Sequence, residues 1–220
     1  MIRISSLQVY NLDGALRGMR HPMNSHHLSD SYWDEKTGEY IIGDEDKTLA
    51  LKLIRGGSDH AKFMRQIFVC MDIEAPATWW TEFDTYKVAT VRNSSSRMHK
   101  MGLKVLTPDD FSFDDNDGEQ DLTTFREYVI ADLNRRIQLW EQLKDEGKTG
   151  EAHNVWRSII NDTPMGFNYK STWTGNYASL RNMYHQRNKH KLGEWREFCQ
   201  ILTDELPYPE FITTPRRVRE

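Results

Sequence analysis

The carboxyl-terminal half of the chain carries the strongest structural signal, a long stretch with helical periodicity. From Thr123 to Gly147, large apolar residues recur at a spacing of three to four, and glycine is a typical helix stop. These residues are Phe125, Val129, Leu133, Ile137 and Trp140. Further helices are predicted over about residues 151–160, 176–187 and 192–206. The strand-like segments, residues 1–10 and 67–73, come earlier. A chain in which the strands come first and the helices follow favours the α+β class.

The composition fits a single domain over residues 1–220, because the sequence contains no linker that would divide its 220 residues. The net charge of -4 argues against a protein that coats nucleic acid through its phosphates. Seven Trp, nine Tyr and nine Phe in a chain that is only 38% hydrophobic indicate that aromatic area is also buried between subunits. The amino terminus is too polar for a signal peptide, and no run approaches a membrane span, so we expect a cytoplasmic protein.

The two cysteines, Cys70 and Cys199, are far apart and have apolar neighbours. No Cys/His cluster of the kind that binds zinc is present, and neither thiol has a neighbouring His or Lys to activate it. The sequence also lacks a GxSxG elbow, a GxGxxG turn and a P-loop. Covalent catalysis by cysteine or serine and a standard dinucleotide-binding unit are therefore not indicated.

Two segments combine hydroxyl or amide groups with arginine. The run SSSR at residues 94–97 is interpreted either as a solvated loop or as a cradle for an anion, since hydroxyls beside a guanidinium bind phosphate. On the helix over residues 176–187, Arg187 shares a face with Leu180 and Met183. An arginine among apolar residues needs a partner. That partner is a ligand, or the side chain forms an intrachain salt bridge or extends to solvent.

Three segments, in this order, resemble the flavin-dependent thymidylate synthase family. They are SDHAKFMRQIFVCMDIEAPATWWTEFDTYK, TVRNSSSRM, and PMGFNYKSTWTGNYASLRNMYHQR followed by GEWREF. The resemblance covers roughly residues 50–205. It implies an α+β fold of that family, with helices on an antiparallel or mixed sheet, and a homotetramer with sites at the subunit interfaces.

The resemblance also implies an activity. Members of the family transfer a one-carbon unit from methylenetetrahydrofolate to C5 of dUMP, with FAD as the flavin and NADPH as its reductant. A diverged member carries out this reaction or a related modification at C5 of a pyrimidine nucleotide. The alternative is a catalytically degenerate nucleotide-binding protein on the same fold, and a generic α+β protein without a nucleotide is a third possibility.

Site residues follow from the resemblance, position by position. Arg187 matches the arginine that polarises the pyrimidine ring and is the expected catalytic residue. The other expected substrate-binding residues are Glu82, Asn93, Ser94, Ser95, Arg97 and Arg157. The expected cofactor-binding residues are His60, Thr85, Tyr86, Lys87, Asn176 and Asn182. No metal ligands are expected.

The sequence departs from the family at several flavin contacts. Thr85-Tyr86-Lys87 replaces an Arg-His-Arg motif, and Ala178 replaces the arginine of an Asn-x-Arg motif. Arg65 and Gln66 replace a Glu-His pair before the strand. The nucleotide-binding positions survive better, and this difference is why both the enzyme and the degenerate binding protein are retained as hypotheses.

Overall fold

The computed structural model describes residues 2–96, 104–112 and 120–215, with side chains from residue 123 onward in the last range. Its strands are β1 (Arg3–Tyr10), β2 (Tyr32–Trp33), β3 (Tyr40–Ile41), β4 (Phe68–Pro76), β5 (Val91–Ser94) and β6 (Asn168–Asn176). Its α-helices are α1 (Leu12–Arg20), α2 (Asp44–Arg55), α3 (Ala77–Phe83), α4 (Gln120–Asp145), α5 (Thr149–Asp162), α6 (Tyr177–Arg187), α7 (Gly193–Glu205) and α8 (Glu210–Thr213). None of the described helices is both long and apolar enough to span a bilayer.

The strands form a four-stranded sheet in the order β1-β4-β6-β5 and a separate β2-β3 hairpin. Backbone hydrogen bonds at the two ends of the β4-β6 pair show that these strands are antiparallel. Tyr177 donates to the carbonyl of Ile67 at 3.0 Å, and Ala77 donates to the carbonyl of Phe167 at 3.2 Å. The predicted α+β class is confirmed.

The chain divides into two compact units, each built from three separate segments. The first unit comprises Met1–Arg3, Ile73–Phe83 and Asn93–Ser171, and the second comprises Ile4–Asp72, Asp84–Arg92 and Thr172–Glu220. The prediction of a single domain over residues 1–220 stays a prediction.

The core of the first unit is formed by the α4-α5 pair and the segments packed on it. Its fully buried members are Leu106, Phe111, Ile130, Leu133, Ile137, Ile159 and Phe167. The side-chain amide of Asn134 accepts a hydrogen bond from the backbone N–H of Leu106 at 2.8 Å and donates to its carbonyl at 2.9 Å. The helical periodicity identified this face correctly except at Phe125, which is 63% exposed. Phe125 lies one turn before Val129, the first residue of α4 that packs against this cluster.

The tryptophans of α3 belong to the same unit. Trp79 and Trp80 are 0% and 4% exposed, and both contact Phe83 through their rings. The indole N–H of Trp80 donates to the carbonyl of Tyr169 at 3.2 Å. These contacts make both residues part of the packed interior of the first unit.

The second unit is organised around α6 and α7, whose predicted apolar faces are buried. Leu180, Met183 and Trp195 are 0% exposed. A buried ion pair joins α1 to α2: the Nε of Arg20 donates to the carboxylate of Asp46. The hydroxyls of Ser29 and Ser31 each donate to the other oxygen of this carboxylate at 2.6 Å.

Candidate functional site

The second unit contains a cavity of about 260 Å³ between the loop over residues 84–90 and the start of α6. We call it the loop cavity. Its lining residues are Arg65, Thr85, Tyr86, Lys87, Val88, Ala89, Asn176, Ala178, Ser179 and Asn182. The structure thus brings together five of the six residues predicted to bind a cofactor, although they come from segments about ninety residues apart.

One wall of the loop cavity is the amino-terminal end of α6. The helix begins there because Asn176 has an extended backbone and its side-chain oxygen accepts the backbone N–H of Ser179 at 3.0 Å. This is the usual geometry of an asparagine N-cap. The amino-terminal end of a helix carries partial positive charge, so this wall favours an anionic group.

The opposite wall is the loop over residues 84–90, which is attached to α6 and folded on itself. The Ser179 hydroxyl donates to the carbonyl of Val88 at 3.4 Å, and the Thr90 hydroxyl donates to the carbonyl of Tyr86 at 2.9 Å. Ala89 has a φ of 56°, a left-handed conformation that is uncommon for alanine. The loop therefore keeps a defined shape at the cost of some backbone strain.

A chain of hydrogen bonds leads from the loop cavity to Arg187. The Tyr86 hydroxyl accepts from the Nε of Arg187 at 2.8 Å and donates to the side-chain oxygen of Gln186 at 3.0 Å. The amide of Gln186 then donates to the side-chain oxygen of Asn182 at 2.8 Å. Tyr86 is thus the residue that connects the lining of the cavity to the predicted catalytic arginine.

Arg187 itself is half-buried against aromatic rings. Its guanidinium carbon lies 4.9 Å from the centroid of the Trp195 ring and 5.6 Å from that of Tyr86. Its Nη1 lies 2.9 Å from Nε2 of His190, within hydrogen-bond distance. The need for a partner, inferred from the sequence, is met in part by these contacts.

Two cations line the loop cavity, Arg65 and Lys87. Within the described residues, neither of them forms an ion pair. Together with the amino-terminal end of α6, they make the cavity suited to an anion. In the sequence, Arg65 is only a departure from the family pattern. It lines the cavity because the segment before β4 lies close to α6.

The remaining predicted residues have other locations. His60 is exposed and lines a separate cavity of about 370 Å³ in the second unit, together with Lys52, Leu53, Arg55 and Gly56. Glu82 is half-buried on α3, and Arg157 is exposed on α5, both in the first unit. The structure therefore does not bring His60 into the loop cavity.

The SSSR run begins at the end of β5, in the first unit. Asn93 and Ser94 are exposed residues of this strand. The backbone N–H of Ser95 donates to the carbonyl of Lys170 at 2.9 Å, next to β6. The Ser95 hydroxyl is buried and has no hydrogen-bond partner among the described residues. Arg97 lies outside the described residues, so the complete run remains a prediction.

The cysteines have the environments expected from their neighbours. Cys199 is 3% exposed, and burial raises the pKa of its thiol to about 12. Cys70 is half-buried. A thiol that stays protonated near neutral pH is a poor nucleophile, so Cys199 behaves as a small core residue.

Comparison with solved structures identifies the fold. Two crystal structures of the flavin-dependent thymidylate synthase ThyX from Helicobacter pylori, each complexed with FAD and dUMP, have a TM-score of 0.67 and 17% sequence identity to this chain. The matches cover 96% and 94% of this chain and 96% of each ThyX chain. The chain has the ThyX fold. This result confirms the fold that the sequence resemblance implied, across nearly its full length.

Sequence comparison gives no comparable match. No protein-family model matches the chain, and a search of the curated proteins finds no match. At 17% identity, the two chains share the fold while most of their aligned residues differ.

Proposed function

We propose that this protein is a flavin-dependent enzyme that acts on a pyrimidine nucleotide. The reaction is transfer of a one-carbon unit from methylenetetrahydrofolate to C5 of dUMP, with reduced FAD as hydride donor and NADPH as reductant, or a related modification at C5. The observation that carries the proposal is the loop cavity, on a fold whose solved examples bind both FAD and dUMP. Thr85, Tyr86, Lys87, Asn176 and Asn182, the residues matched to flavin contacts, all line it.

The residues of the loop cavity fit part of FAD. The flavin supplies hydride-transfer chemistry when it is bound. Arg65, Lys87 and the amino-terminal end of α6 are suited to hold its phosphates, and Asn176 and Asn182 add polar groups. The volume of about 260 Å³ is below the range of roughly 300–1,000 Å³ typical of small-molecule sites. A whole dinucleotide needs further surface, which is consistent with the proposed homotetramer and its shared sites.

Arg187 is proposed to act on the nucleotide base. A guanidinium near a pyrimidine ring stabilises negative charge that develops during attack at C5. Tyr86, His190 and Trp195 contact it and help to fix its position. The high pKa of Cys199 agrees with a reaction that uses no cysteine nucleophile.

The phosphate of the nucleotide is proposed to bind at the SSSR run. The buried hydroxyl of Ser95, with no hydrogen-bond partner among the described residues, supports this role, because a buried hydroxyl without a partner is costly. Asn93, Ser94, Arg97 and Arg157 are proposed to complete the grip, and Glu82 is proposed to contact the nucleotide. His60 is proposed to contact the cofactor from its own cavity, and we expect a cytoplasmic location.

The second candidate is a catalytically degenerate nucleotide-binding protein. Two features favour it: the motif at Thr85-Tyr86-Lys87 has only one cation, and the Tyr86 hydroxyl already engages the Nε of Arg187. An arginine that is held away from the base would leave binding intact and abolish chemistry.

Flavin and nucleotide titrations of the purified protein distinguish the candidates. The enzyme requires FAD to raise the melting temperature and requires turnover of dUMP with NADPH and methylenetetrahydrofolate, because a ligand that prefers the folded state stabilises it. A melting temperature that rises with dUMP and not with FAD supports the degenerate binding protein. If neither ligand changes the melting temperature, both candidates are wrong.

A further inference from the structure

A glutamine near the carboxyl-terminal end of α6 joins the loop cavity to Arg187. The side-chain oxygen of Gln186 accepts from the Tyr86 hydroxyl at 3.0 Å, and its amide nitrogen donates to the side-chain oxygen of Asn182 at 2.8 Å. The Nε of Arg187, the next residue in the chain, donates to the same hydroxyl at 2.8 Å. Two members of this group, Tyr86 and Asn182, line the loop cavity. We call the four side chains, Asn182, Gln186, Tyr86 and Arg187, the linking chain.

Each hydrogen bond of the linking chain has a defined direction. A guanidinium only donates, so the oxygen of Tyr86 accepts from Arg187 and its own proton is directed to the oxygen of Gln186. The amide nitrogen of Gln186 then faces Asn182 and donates to its oxygen. Asn182 can therefore offer its N–H groups to an acceptor on a ligand in the loop cavity.

The contact between Gln186 and Asn182 is by itself an ordinary feature of a helix surface, because residues four apart are neighbours there. Gln200 makes the same kind of contact on α7, where its amide donates to the carboxylate of Asp204 at 2.9 Å. Gln186 differs from Gln200 in its second contact, with a residue 100 positions earlier in the chain. This second contact connects the helix surface to the loop that forms the opposite wall of the cavity.

The two ends of the linking chain have different surroundings. The ring of Tyr86 is half-buried and lies edge-on to the ring of Trp195, with their centroids 5.9 Å apart, and the guanidinium of Arg187 lies 4.9 Å from the same indole. Gln186 and Asn182 are exposed. The exposed amides can turn about their side-chain torsions, so they are the part of the linking chain that a ligand can orient.

We propose that Gln186 is a positioning residue that couples the loop cavity to Arg187. A ligand that accepts from Asn182 fixes this amide, which fixes the amide of Gln186 and so the hydroxyl that holds Arg187. The inference rests on the proposed function, because it takes FAD as the ligand of the loop cavity and Arg187 as the residue that contacts the base. It adds that FAD and the nucleotide favour each other's binding through Gln186.

The test is the affinity of the full-length protein for dUMP, measured by calorimetry with and without saturating FAD. For the wild type, we expect dUMP to bind at least about fivefold more tightly when FAD is present, which is the lower end of typical coupling between two sites. Gln186→Met keeps the length of the side chain and removes both hydrogen bonds, so we expect this enhancement to fall below about twofold. Its affinity for dUMP without FAD should differ from that of the wild type by less than about twofold.

Two further variants separate loss of coupling from general damage. Gln200→Met removes an exposed glutamine that donates to a residue four positions later, and this matched control should keep the wild-type enhancement. The double variant Tyr86→Phe/Gln186→Met should lose no more turnover than Tyr86→Phe alone, because both substitutions interrupt the same chain of contacts. The melting temperature of each unliganded variant reports whether it is folded.

The outcomes also distinguish this inference from the proposed function. If Gln186→Met keeps the full enhancement, or if Gln200→Met loses it equally, the role of Gln186 is wrong and the proposed function stands. Independent binding of FAD and dUMP to the wild type has the same meaning, as does a double variant whose loss of turnover is the product of the two single losses. If the wild type does not bind FAD, the proposed flavin-dependent function is wrong and this inference fails with it.

Discussion

Two arginines of the second unit, Arg20 and Arg187, are both withdrawn from solvent but have different kinds of partner. Arg20 is 4% exposed and is paired with a carboxylate, Asp46, that is itself fully buried. Arg187 is half-buried and contacts a phenol, an imidazole and an indole ring. The first arrangement pairs the arginine with an anion, whereas these contacts of the second are with aromatic side chains.

This difference indicates which arginine is structural. A fully buried guanidinium must have an anion, because desolvation costs several kcal/mol for each ion. A half-buried one is held at lower cost by aromatic faces, which contribute about 0.5–2 kcal/mol each. Arg20 therefore joins α1 to α2 as a structural ion pair, whereas the role proposed for Arg187 is with the nucleotide base.

The largest expected effect comes from Arg20→Met. This variant leaves the carboxylate of Asp46 buried without its cation, so we expect the free energy of unfolding to fall by about 3–5 kcal/mol. Chemical denaturation measures it. Arg135→Met, at a position on α4 whose side chain is 67% exposed, is the control and should change stability by less than about 0.5 kcal/mol. A small effect of Arg20→Met would show that the pair is not structural.

The next effect is acid sensitivity of the Arg20-Asp46 pair. Burial alone would raise the pKa of Asp46, but hydrogen bonds from Ser29, Ser31 and Arg20 outweigh it and lower the pKa below its ordinary value of 3.8. The folded state therefore binds this proton less readily than the unfolded state. The resulting stability is present above about pH 4 and is lost as the pH falls through the folded pKa.

Urea denaturation at pH 6 and pH 3 tests this assignment. The wild type should lose more stability between these pH values than Asp46→Asn, which has no carboxylate at this position. The pKa of Asp30 is also lowered, chiefly because its carboxylate accepts a hydrogen bond from the backbone N–H of Glu45. Both proteins therefore keep some acid sensitivity. Equal losses in the two proteins would contradict a depressed pKa for Asp46.

Arg187→Met should lower the free energy of unfolding by less than Arg20→Met does. It removes the contacts with Tyr86 and Trp195, so we expect a loss of about 1–2 kcal/mol in the free energy of unfolding. Its main effect should be on turnover, since the cation proposed to polarise the base is lost. If both arginine variants destabilise the protein equally, the contrast between the two arginines is wrong.

Tyr86→Phe should have the smallest effect on stability, about 1 kcal/mol. The ring that faces Arg187 remains, while the hydroxyl that accepts from its Nε and donates to Gln186 is removed. If Tyr86 only positions Arg187, turnover should fall with little change in the affinity for dUMP. If turnover rises instead, the hydroxyl holds Arg187 away from the base.

Periodicity predicted the helices of the carboxyl-terminal half well, because this signal is local. The apolar face of α7 and the asparagine N-cap of α6 each depend on only a few neighbouring residues. Phe125 has the right spacing and is exposed, because burial depends on which partner covers the helix face.

The candidate site was only partly accessible from the sequence. Matching positions to the family selected Thr85, Tyr86, Lys87, Asn176 and Asn182, which line one cavity. It did not reveal that the hydroxyl of Tyr86 accepts from Arg187, because the two residues are 101 positions apart. Arg65, which replaces an acidic residue of the family motif, was likewise not predicted to line the cavity.

The sequence by itself determined the α+β class, the main helices, and the residue types from which a flavin and nucleotide site can be built. Only the tertiary structure decided that Arg20 is paired with Asp46, that Arg187 contacts the rings of Tyr86 and Trp195, and that two distant segments line one cavity. The physical reason is that these interactions act over different distances along the chain. Helix periodicity and caps act over a few residues, whereas desolvation, ion pairing and cavity shape depend on side chains that folding brings together from distant segments.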